Sequence, residues 1–202
     1  EPTELIIGDH NTLRESVTVH RGTIKGGGVT TIGDHNYLMV GAHVAHDCKL
    51  GSRIIMANNV LLAGHVHIEN NVVMSGGVAA HHFTTIGSFA FVGGISRVLH
   101  DVPPYMISDG NPSTVRTINR VGLRRGGFDD AQIKNLEAAY KKLYRHAYTS
   151  SNGPLPITER LSRLETEYPD DPQINHLVAN IRNANIGPHG RYLESFRKDR
   201  PG

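Results

Sequence analysis

A hydrophobic residue recurs at every sixth position through most of the first hundred residues. Every step from residue 32 to residue 98 meets one, in the series Ile32, Leu38, Val44, Leu50, Met56, Leu62, Ile68, Met74, Ala80, Ile86, Val92 and Val98. Four places after each of the first eleven comes a mostly small or β-branched residue, in the set Asn36, Ala42, Cys48, Ile54, Val60, Val66, Val72, Val78, Thr84, Ala90 and Ser96. A helix is excluded because its apolar stripe recurs at three and four. One large and one small inward residue per hexad predict a narrow triangular stack of short strands.

The same register begins earlier and is interrupted once. Ile7, Leu13 and Val19 start it, and it slips by one residue across residues 25–31, a glycine-rich stretch that we expect to protrude as a loop. Residue 1 falls just before a hexad and is not a methionine. We therefore expect further coils upstream, in a chain that is a fragment or a cleaved form.

The hexad pattern ends at a pair of prolines. Pro103 and Pro104 cannot donate to a sheet ladder, so the regular sheet is expected to stop there. We divide the chain into a repeat domain, residues 1–105, and a helical domain, residues 106–202.

Apolar positions in the second half recur at helical spacing. The clearest helix is predicted from Asp129 to Ala147, with acidic residues near its start and basic residues near its end. The shorter helices that we predict lie at about 115–125, 157–168 and 172–184. The polar segment after Gly187 is expected to be loosely ordered.

Composition excludes several classes of protein. The 202 residues are 38% hydrophobic and 20% charged, which is typical of a folded protein, and no apolar run reaches the roughly 20 residues that cross a bilayer. A single cysteine, Cys48, permits neither an internal disulfide nor a CxxC metal site, so we expect a soluble, cytoplasmic protein. The net charge of +2 divides into −1 for the first hundred residues and +3 for the rest, too little to predict nucleic acid as a partner.

Several hexads open with an apolar residue and a glycine, at Ile7-Gly8, Ile32-Gly33, Leu50-Gly51 and Ile86-Gly87. In this the repeat resembles the left-handed parallel β-helix of the hexapeptide-repeat acyltransferases. That resemblance implies the left-handed sense and three hexads per coil, so that residues 18 apart stack.

Stacking by 18 gathers histidines at one corner of the predicted prism. His46, Gly64 and His82 share a column, and Asp47 and His65 share the next, with neighbouring coils about 4.8 Å apart. Two further histidines near this corner are His43 and His81. Gly64 has no side chain to cover its backbone N–H, which could therefore face a developing oxyanion.

Three interpretations of this cluster remain open from spacing alone. A neutral imidazole, with a reference pKa near 6.5, could act as the general base of an acyl transfer. Several imidazoles could instead hold zinc, as in γ-class carbonic anhydrases, and leave a position for water. Exposed histidines on the turns of a repeat protein could also have no chemical role.

Longer segments are similar to the UDP-N-acetylglucosamine O-acyltransferases that begin lipid A biosynthesis. The segments that carry this resemblance are 14–23, 42–48, 62–65, 80–83, 101–105 and 122–125, with Phe128. The resemblance runs from residue 1 to about Tyr144. It implies transfer of an (R)-3-hydroxyacyl group from acyl carrier protein to the sugar 3-hydroxyl of UDP-N-acetylglucosamine, by a homotrimer with no cofactor or metal, at a cleft between subunits.

The same resemblance assigns roles to individual residues. His46 matches the general base, Asp47 its neighbouring carboxylate and Gly64 the oxyanion glycine, with a solvated Asp47 as the alternative. An Asp47–His46 contact requires a turn at the corner, because sequence neighbours on a strand point to opposite faces. The residues that match substrate-contacting positions are His20, Met39, His43, Asn58, His65, His81, His82, Gly94, Asn119 and Arg125. A glycine at position 94, in the acyl groove, should admit a long chain.

Three positions depart from the family pattern: Gly126 replaces an arginine, Val121 a glutamate, and His82 a glutamine. The nucleotide contacts, and the choice between a hydroxyl and an amino acceptor, are therefore open. The alternatives are the related N-acyltransferase, a zinc-dependent hydratase, and a trimeric scaffold whose basic helical domain binds the acidic carrier protein.

Overall fold

The computed structural model describes residues 1–145, 149–150 and 153–197. Its first hundred residues form a left-handed parallel β-helix with three faces of hydrogen-bonded strands. Face A contains Glu4–Ile7, Val29–Ile32, Lys49–Leu50, His67–Ile68 and Thr85–Ile86. Face B contains Thr12–Leu13, Tyr37–Leu38, Ile55–Met56, Val73–Met74 and Phe91–Val92. Face C contains Thr18–Val19, His43–Val44, Leu61–Leu62, Ala79–Ala80 and Arg97–Val98.

Strand pairing confirms the register of 18 and the predicted slip. Lys49 pairs with His67, and His67 with Thr85, each 18 residues further on. Between the first two coils the offset is 25 instead, as in Thr18 with His43. The extra residues form a loop that contains a single 3-10 turn, Ile24–Gly26. The predicted loop, residues 25–31, is therefore right only in its first part, because residues 29–31 belong to the face A strand Val29–Ile32.

The interior of the prism consists of the two predicted series. All twelve members of the large series and all eleven of the small series are buried, none more than 4% exposed. The strands are mostly two residues long, so one residue points outward and the next inward, as in the exposed Lys49 and the buried Leu50. Stacked coils therefore share one continuous apolar core.

The sheet continues beyond the two prolines, contrary to expectation. Met106–Asp109 pairs in parallel with the last strand of face B, and Thr114–Ile118 pairs antiparallel with Met106–Asp109. The helix predicted at 115–125 is thus wrong in its first half. Thr114–Ile118 is rich in β-branched residues and forms a strand on the free edge of the sheet beside Met106–Asp109. The helix begins only at Arg120 and is capped by Asn119.

In the described part of the second half, four α-helices follow: α1 (Arg120–Arg125), α2 (Asp130–Tyr140), α3 (Ile157–Glu167) and α4 (Pro172–Ile186). Asp129 begins α2 with a capping box, and a π-helical turn, Lys141–Arg145, continues it. The predicted end of this helix at Ala147 lies outside the described residues. The helices predicted at 157–168 and 172–184 are confirmed as α3 and α4. A short antiparallel pair, Thr149–Ser150 with Gly153–Pro154, precedes α3.

The helical part is joined to the β-helix by an aromatic cluster and a polar contact. Phe89 of the last complete coil packs against Tyr105 and Phe128. Glu69 on the β-helix pairs with His176 on α4, at 3.0 Å. None of the described helices is long and apolar enough to cross a bilayer.

Residues 188–197 are ordered, which corrects the expectation of a loose tail for this part; residues 198–202 lie outside the described residues. The ordered part forms two 3-10 turns, Pro188–Gly190 and Tyr192–Phe196. Two of its charged residues, Arg191 and Glu194, are buried and paired with each other. Because burial of these two polar side chains is matched by mutual hydrogen bonding, a polar sequence can still pack against the prism.

Candidate functional site

The predicted histidine columns meet at the turns that lead from face C to face A. Consecutive coils stack there, since His65 N–H donates to the His46 carbonyl at 3.0 Å and Phe83 N–H donates to the Gly64 carbonyl at 3.3 Å. Asp47, His65 and Phe83 all adopt left-handed φ angles of 61° to 63°. This repeated conformation forms the sharp corner that a His46–Asp47 contact requires.

His46 and Asp47 form the closest polar pair at this corner. The His46 Nδ1 and Asp47 Oδ2 atoms are 2.7 Å apart. The His46 side chain is 43% exposed, whereas that of Asp47 is 1% exposed. The carboxylate thus lies beneath an imidazole that solvent can reach, which confirms the predicted contact rather than a solvated Asp47.

Asp47 is held by the inserted loop. The Thr23 N–H donates to Oδ1 at 2.8 Å and the Thr23 hydroxyl donates to Oδ2 at 2.7 Å, while the Thr30 hydroxyl accepts from the Asp47 N–H. Burial raises the pKa of Asp47, but hydrogen bonds from Thr23 and His46 outweigh burial and hold that pKa below its usual value. Asp47 is therefore a fixed, ionised acceptor for the His46 Nδ1–H.

Gly64 lies directly under the His46 ring. A Cβ atom at Gly64 would come within 2.6 Å of His46 Cε1 and 2.9 Å of Nε2. A side chain at this position would displace the imidazole, so the glycine provides the space that the ring occupies. Within the described part of the chain the Gly64 amide donates to no acceptor, and it remains available to a bound group, as predicted.

Aromatic rings continue the site across two further coils. The His65 ring is edge-on to the His46 ring, with 5.3 Å between ring centroids, and it stacks on the Phe83 ring at 4.5 Å. The Phe83 ring is in turn edge-on to the His82 ring, at 5.4 Å between centroids. The centroids of the His81 and His82 rings are 3.8 Å apart. Burial first, then the neighbouring His81, lowers the pKa of His82. The structure thus brings His46, His65, His81 and His82 into one ladder of rings, whereas His43, which was also expected near this corner, lies outside it.

A second histidine pair occupies the outer surface of face C. The His20 and His43 rings are edge-on at 4.8 Å, and His43 Nδ1 lies 2.7 Å from the Thr18 hydroxyl. Burial, followed by the charge of His20, lowers the pKa of His43. His43 is on the strand that leads to the His46 corner.

Met39, Asn58 and Gly94 belong to the neighbouring corner, between faces B and C. The Asn58 carbonyl accepts from the Gly77 N–H, and the Gly76 carbonyl from the Ile95 N–H, so Asn58 and Gly94 belong to one column. A Cβ atom at Gly94 would find its nearest neighbours at 3.5 and 3.8 Å. This corner therefore has room beside Gly94.

Asn119 and Arg125 lie at the two ends of α1. Asn119 is 6% exposed, its amide oxygen accepts from the Gly122 N–H, and its amide nitrogen donates to the Phe89 carbonyl. Arg125 is exposed in the last turn. In this structure the Asn119 side chain has a capping role, while Arg125 is open to solvent.

The sequence interpretation missed Thr23, Phe83 and the C-terminal segment. Thr23 lies in the loop that breaks the period, so the step of 18 does not place it beside Asp47. Leu193, Phe196 and Arg197 line a cavity that also reaches Asp47 and His65. The segment that contains them offers no periodic or composition signal.

A left-handed β-helix of hexads, with a histidine–carboxylate pair at a turn, defines this chain as a hexapeptide-repeat protein. Comparison with known proteins identifies the family. A family model described as UDP N-acetylglucosamine O-acyltransferase, domain 2, matches residues 101–189.

Three relatives extend that match across most of the chain. The chain is 45% identical to the acyl-[acyl-carrier-protein]–UDP-N-acetylglucosamine O-acyltransferase of Aliivibrio fischeri. The match extends over 161 residues, which are 80% of this chain and 62% of the relative. The solved UDP-N-acetylglucosamine O-acyltransferase (LpxA) of Moraxella catarrhalis is 39% identical with a TM-score of 0.83, covering 91% of this chain and 68% of that one. The LpxA of Bacteroides fragilis is 38% identical with a TM-score of 0.83, covering 91% and 69%.

The chain belongs to the UDP-N-acetylglucosamine O-acyltransferase family. It spans 62% of the length of the curated relative that it matches.

Proposed function

We propose that the protein transfers an (R)-3-hydroxyacyl group from acyl carrier protein to the 3-hydroxyl of UDP-N-acetylglucosamine, the first step of lipid A biosynthesis in the cytoplasm. The observation that carries this proposal is the His46–Asp47 pair above Gly64. Family membership supports the substrates, because the relatives are named for this reaction.

The pair has the geometry of a general base with a fixed tautomer. Because Nδ1–H of His46 donates to Asp47, the lone pair of Nε2 can accept a proton from a hydroxyl. Asp47 keeps the ring oriented and stabilises the imidazolium that forms, as a buried carboxylate does beside other catalytic histidines.

The reaction then proceeds in two steps. His46 Nε2 takes the proton of the sugar hydroxyl as its oxygen bonds to the thioester carbon, and the Gly64 N–H stabilises the oxyanion of the tetrahedral intermediate. The intermediate collapses by breaking the carbon–sulfur bond, and the departing thiolate receives the proton from the imidazolium. The product ester and the free carrier thiol leave His46 neutral.

We also propose that the protein is a homotrimer with its site in a cleft between subunits. An outward column on face B, Tyr37, Ile55, Val73 and Phe91, is apolar along four coils. Ile95, at the neighbouring turn, is 83% exposed. Apolar surface of this extent is typical of an interface. A partner subunit would add an opposing wall to the shallow face on which His43 lies.

The acyl chain and the nucleotide would then bind along this cleft. Met39, Asn58 and Gly94 would line the acyl groove, where the space beside Gly94 suits a long chain. His20, His43, His65, His81 and His82 would contact the polar parts of the substrates. Arg125 would face phosphate, and Asn119 would approach the uridine.

A metal site is the second candidate, because ligand atoms of His46, Asp47 and His65 lie within 4.8 Å of one another. Ligands on a tetrahedral zinc at about 2.0–2.1 Å are separated by about 3.3 Å. The 2.7 Å between His46 Nδ1 and Asp47 Oδ2 is instead a hydrogen-bond distance, and Thr23 already donates to both oxygens of Asp47. The geometry favours a base.

The test is a mass-spectrometric product assay with UDP-N-acetylglucosamine and a panel of acyl carrier protein thioesters. The His46→Asn variant should transfer the acyl group at least about 100-fold more slowly, the usual contribution of a general base, with the oligomeric state unchanged. His35→Asn, an exposed histidine at a different corner, is the matched control and should keep full activity. Transfer by His46→Asn at the wild-type rate would refute the role of His46 as general base. Loss of transfer after chelation of metal ions would favour the metal site.

A further inference from the structure

A cavity lies on the face A side of the His46 corner. It has a volume of about 600 Å³, and Asp47, His65 and Phe83 form part of its floor. The inserted loop contributes Lys25 to the lining. The C-terminal segment contributes Leu193, Phe196 and Arg197, which we call the C-terminal wall. This volume is in the range typical of small-ligand sites.

The C-terminal wall is fixed to the β-helix by buried polar contacts. Arg191 donates from Nε to Glu194 at 2.8 Å and from Nη1 to the Leu99 carbonyl at 2.8 Å. The Asp101 carboxylate accepts from the Tyr192 N–H at 2.9 Å. This wall lies beyond residue 189, where the match to the family model ends. It is therefore a feature of this chain that the family model does not describe.

The charge lining the cavity is positive. Lys25 and Lys49 supply two cationic groups, and Asp47 is the one carboxylate among the described lining residues. Asp47 is already bonded to Thr23 and His46, and its side chain is 1% exposed. Within the described ranges neither Lys25 nor Lys49 forms an ion pair. The charge of these two lysines, beside a carboxylate that already has its own donors, favours an anion.

The rest of the lining is apolar and aromatic. Phe83 lies beneath Arg197, with the guanidinium carbon 5.8 Å from the ring centroid. Val66, Leu193 and Phe196 complete the apolar part. Arginine and lysine are the residues that bind phosphate, and aromatic surface accommodates the organic group attached to it. The combination suits a phosphate ester rather than a free inorganic anion.

Resting on the proposed function, we infer that this cavity binds a phosphate group of one substrate, with Lys25, Lys49 and Arg197 as its cationic contacts. Both substrates carry such a group: the acceptor has a diphosphate, and the donor has the phosphodiester of the carrier arm. The position of the cavity, adjoining Asp47 and His65, keeps the bound phosphate next to the reacting centre.

The test is calorimetric binding of UDP, pantetheine 4′-phosphate and inorganic phosphate to the full chain. The Lys25→Gln/Lys49→Gln double variant and Arg197→Gln should each weaken one of the two esters about 10-fold or more, and higher salt should weaken wild-type binding. Lys134→Gln, which removes the same charge from the exposed side of α2, is the matched control. Weaker binding of UDP to the variants would show that the cavity holds the diphosphate of the acceptor. Weaker binding of pantetheine 4′-phosphate would show that it holds the phosphate of the donor.

Two results would overturn this inference. One is equal affinity of both esters for wild type and all cavity variants. The other is an effect confined to inorganic phosphate. Because binding is measured without turnover, an ester that depends on Lys49 supports the cavity even if acyl transfer is not observed. Conversely, if the wild type transfers the acyl group and the cavity variants bind both esters as the wild type does, the proposed function is supported and the phosphate site is rejected.

Discussion

Replacement of Gly64 by alanine isolates the position of the His46 ring from every other property of the site. Alanine keeps the backbone N–H, and Gly64 does not have a left-handed φ, so the backbone accepts the substitution. The added Cβ would lie 2.6 Å from His46 Cε1, where an ordinary contact needs at least 3.4 Å. The imidazole must move by about 1 Å, and its 2.7 Å bond to Asp47 is weakened or lost.

The expected effect is on the chemical step. Misplacing a reacting group by about 1 Å typically costs about 100-fold in rate, so kcat should fall about 100-fold. The KM for UDP-N-acetylglucosamine should change less than about threefold, because the ring still occupies the same surface. Loss of one hydrogen bond, about 1 kcal/mol, should lower Tm by only about 2–4 °C. Steady-state kinetics and thermal unfolding measure these quantities.

A double-mutant cycle shows whether the effect passes through His46. In His46→Asn the general base is absent, so adding Gly64→Ala should cause little further loss. A Gly64→Ala enzyme with kcat within threefold of wild type would refute the structural argument. Fully additive losses would show that Gly64 acts independently of the ring.

Three further predictions concern the support of the site and the fold. Thr23→Val removes a hydroxyl donor from the Asp47 carboxylate, so the pKa of Asp47 should rise and kcat should fall about 10-fold in steady-state kinetics. Burial raises the pKa of Glu69, but His176 and Ser88 lower it to about 2, so Glu69→Gln should cost on the order of 2 kcal/mol at pH 7. In urea titrations that difference should shrink as the pH falls from 4.5 to about 2. Asp129→Ala removes the capping box of α2 and should cost about 1 kcal/mol, seen as a Tm lower by about 2–4 °C.

The β-helix and the centre of the site were predictable because both obey a period. A step of six sets each inward position, so the burial of Leu62 and Val66 was predictable from the period alone. The step of 18 that places Gly64 under His46 also required three hexads per coil, which the family resemblance implied. The handedness and the roles of individual histidines came from the family resemblance instead. Period alone also left the acid–base and metal interpretations open, and the 2.7 Å contact of His46 with Asp47 favours the first.

The parts that sequence reasoning missed are those where the period breaks. The strand at Thr114–Ile118 depends on a free sheet edge, which only the folded coil provides. The C-terminal wall depends on the buried pairing of Arg191 with Glu194. From composition alone these two charged residues indicate a polar, exposed segment, so the buried pair was not predicted.

Thr23 is different, because its position was recoverable once the slip was measured. An offset of 25 instead of 18 places residue 22 in the column of Asp47, one residue from the threonine that holds its carboxylate. The interruption that looks like a flaw in the repeat is therefore what supplies the donors for the buried carboxylate. A loop of regular length would leave Asp47 with fewer partners and a higher pKa, and His46 with a weaker acceptor. In a strictly periodic protein, departures from the period are where the supporting residues of a site should be sought.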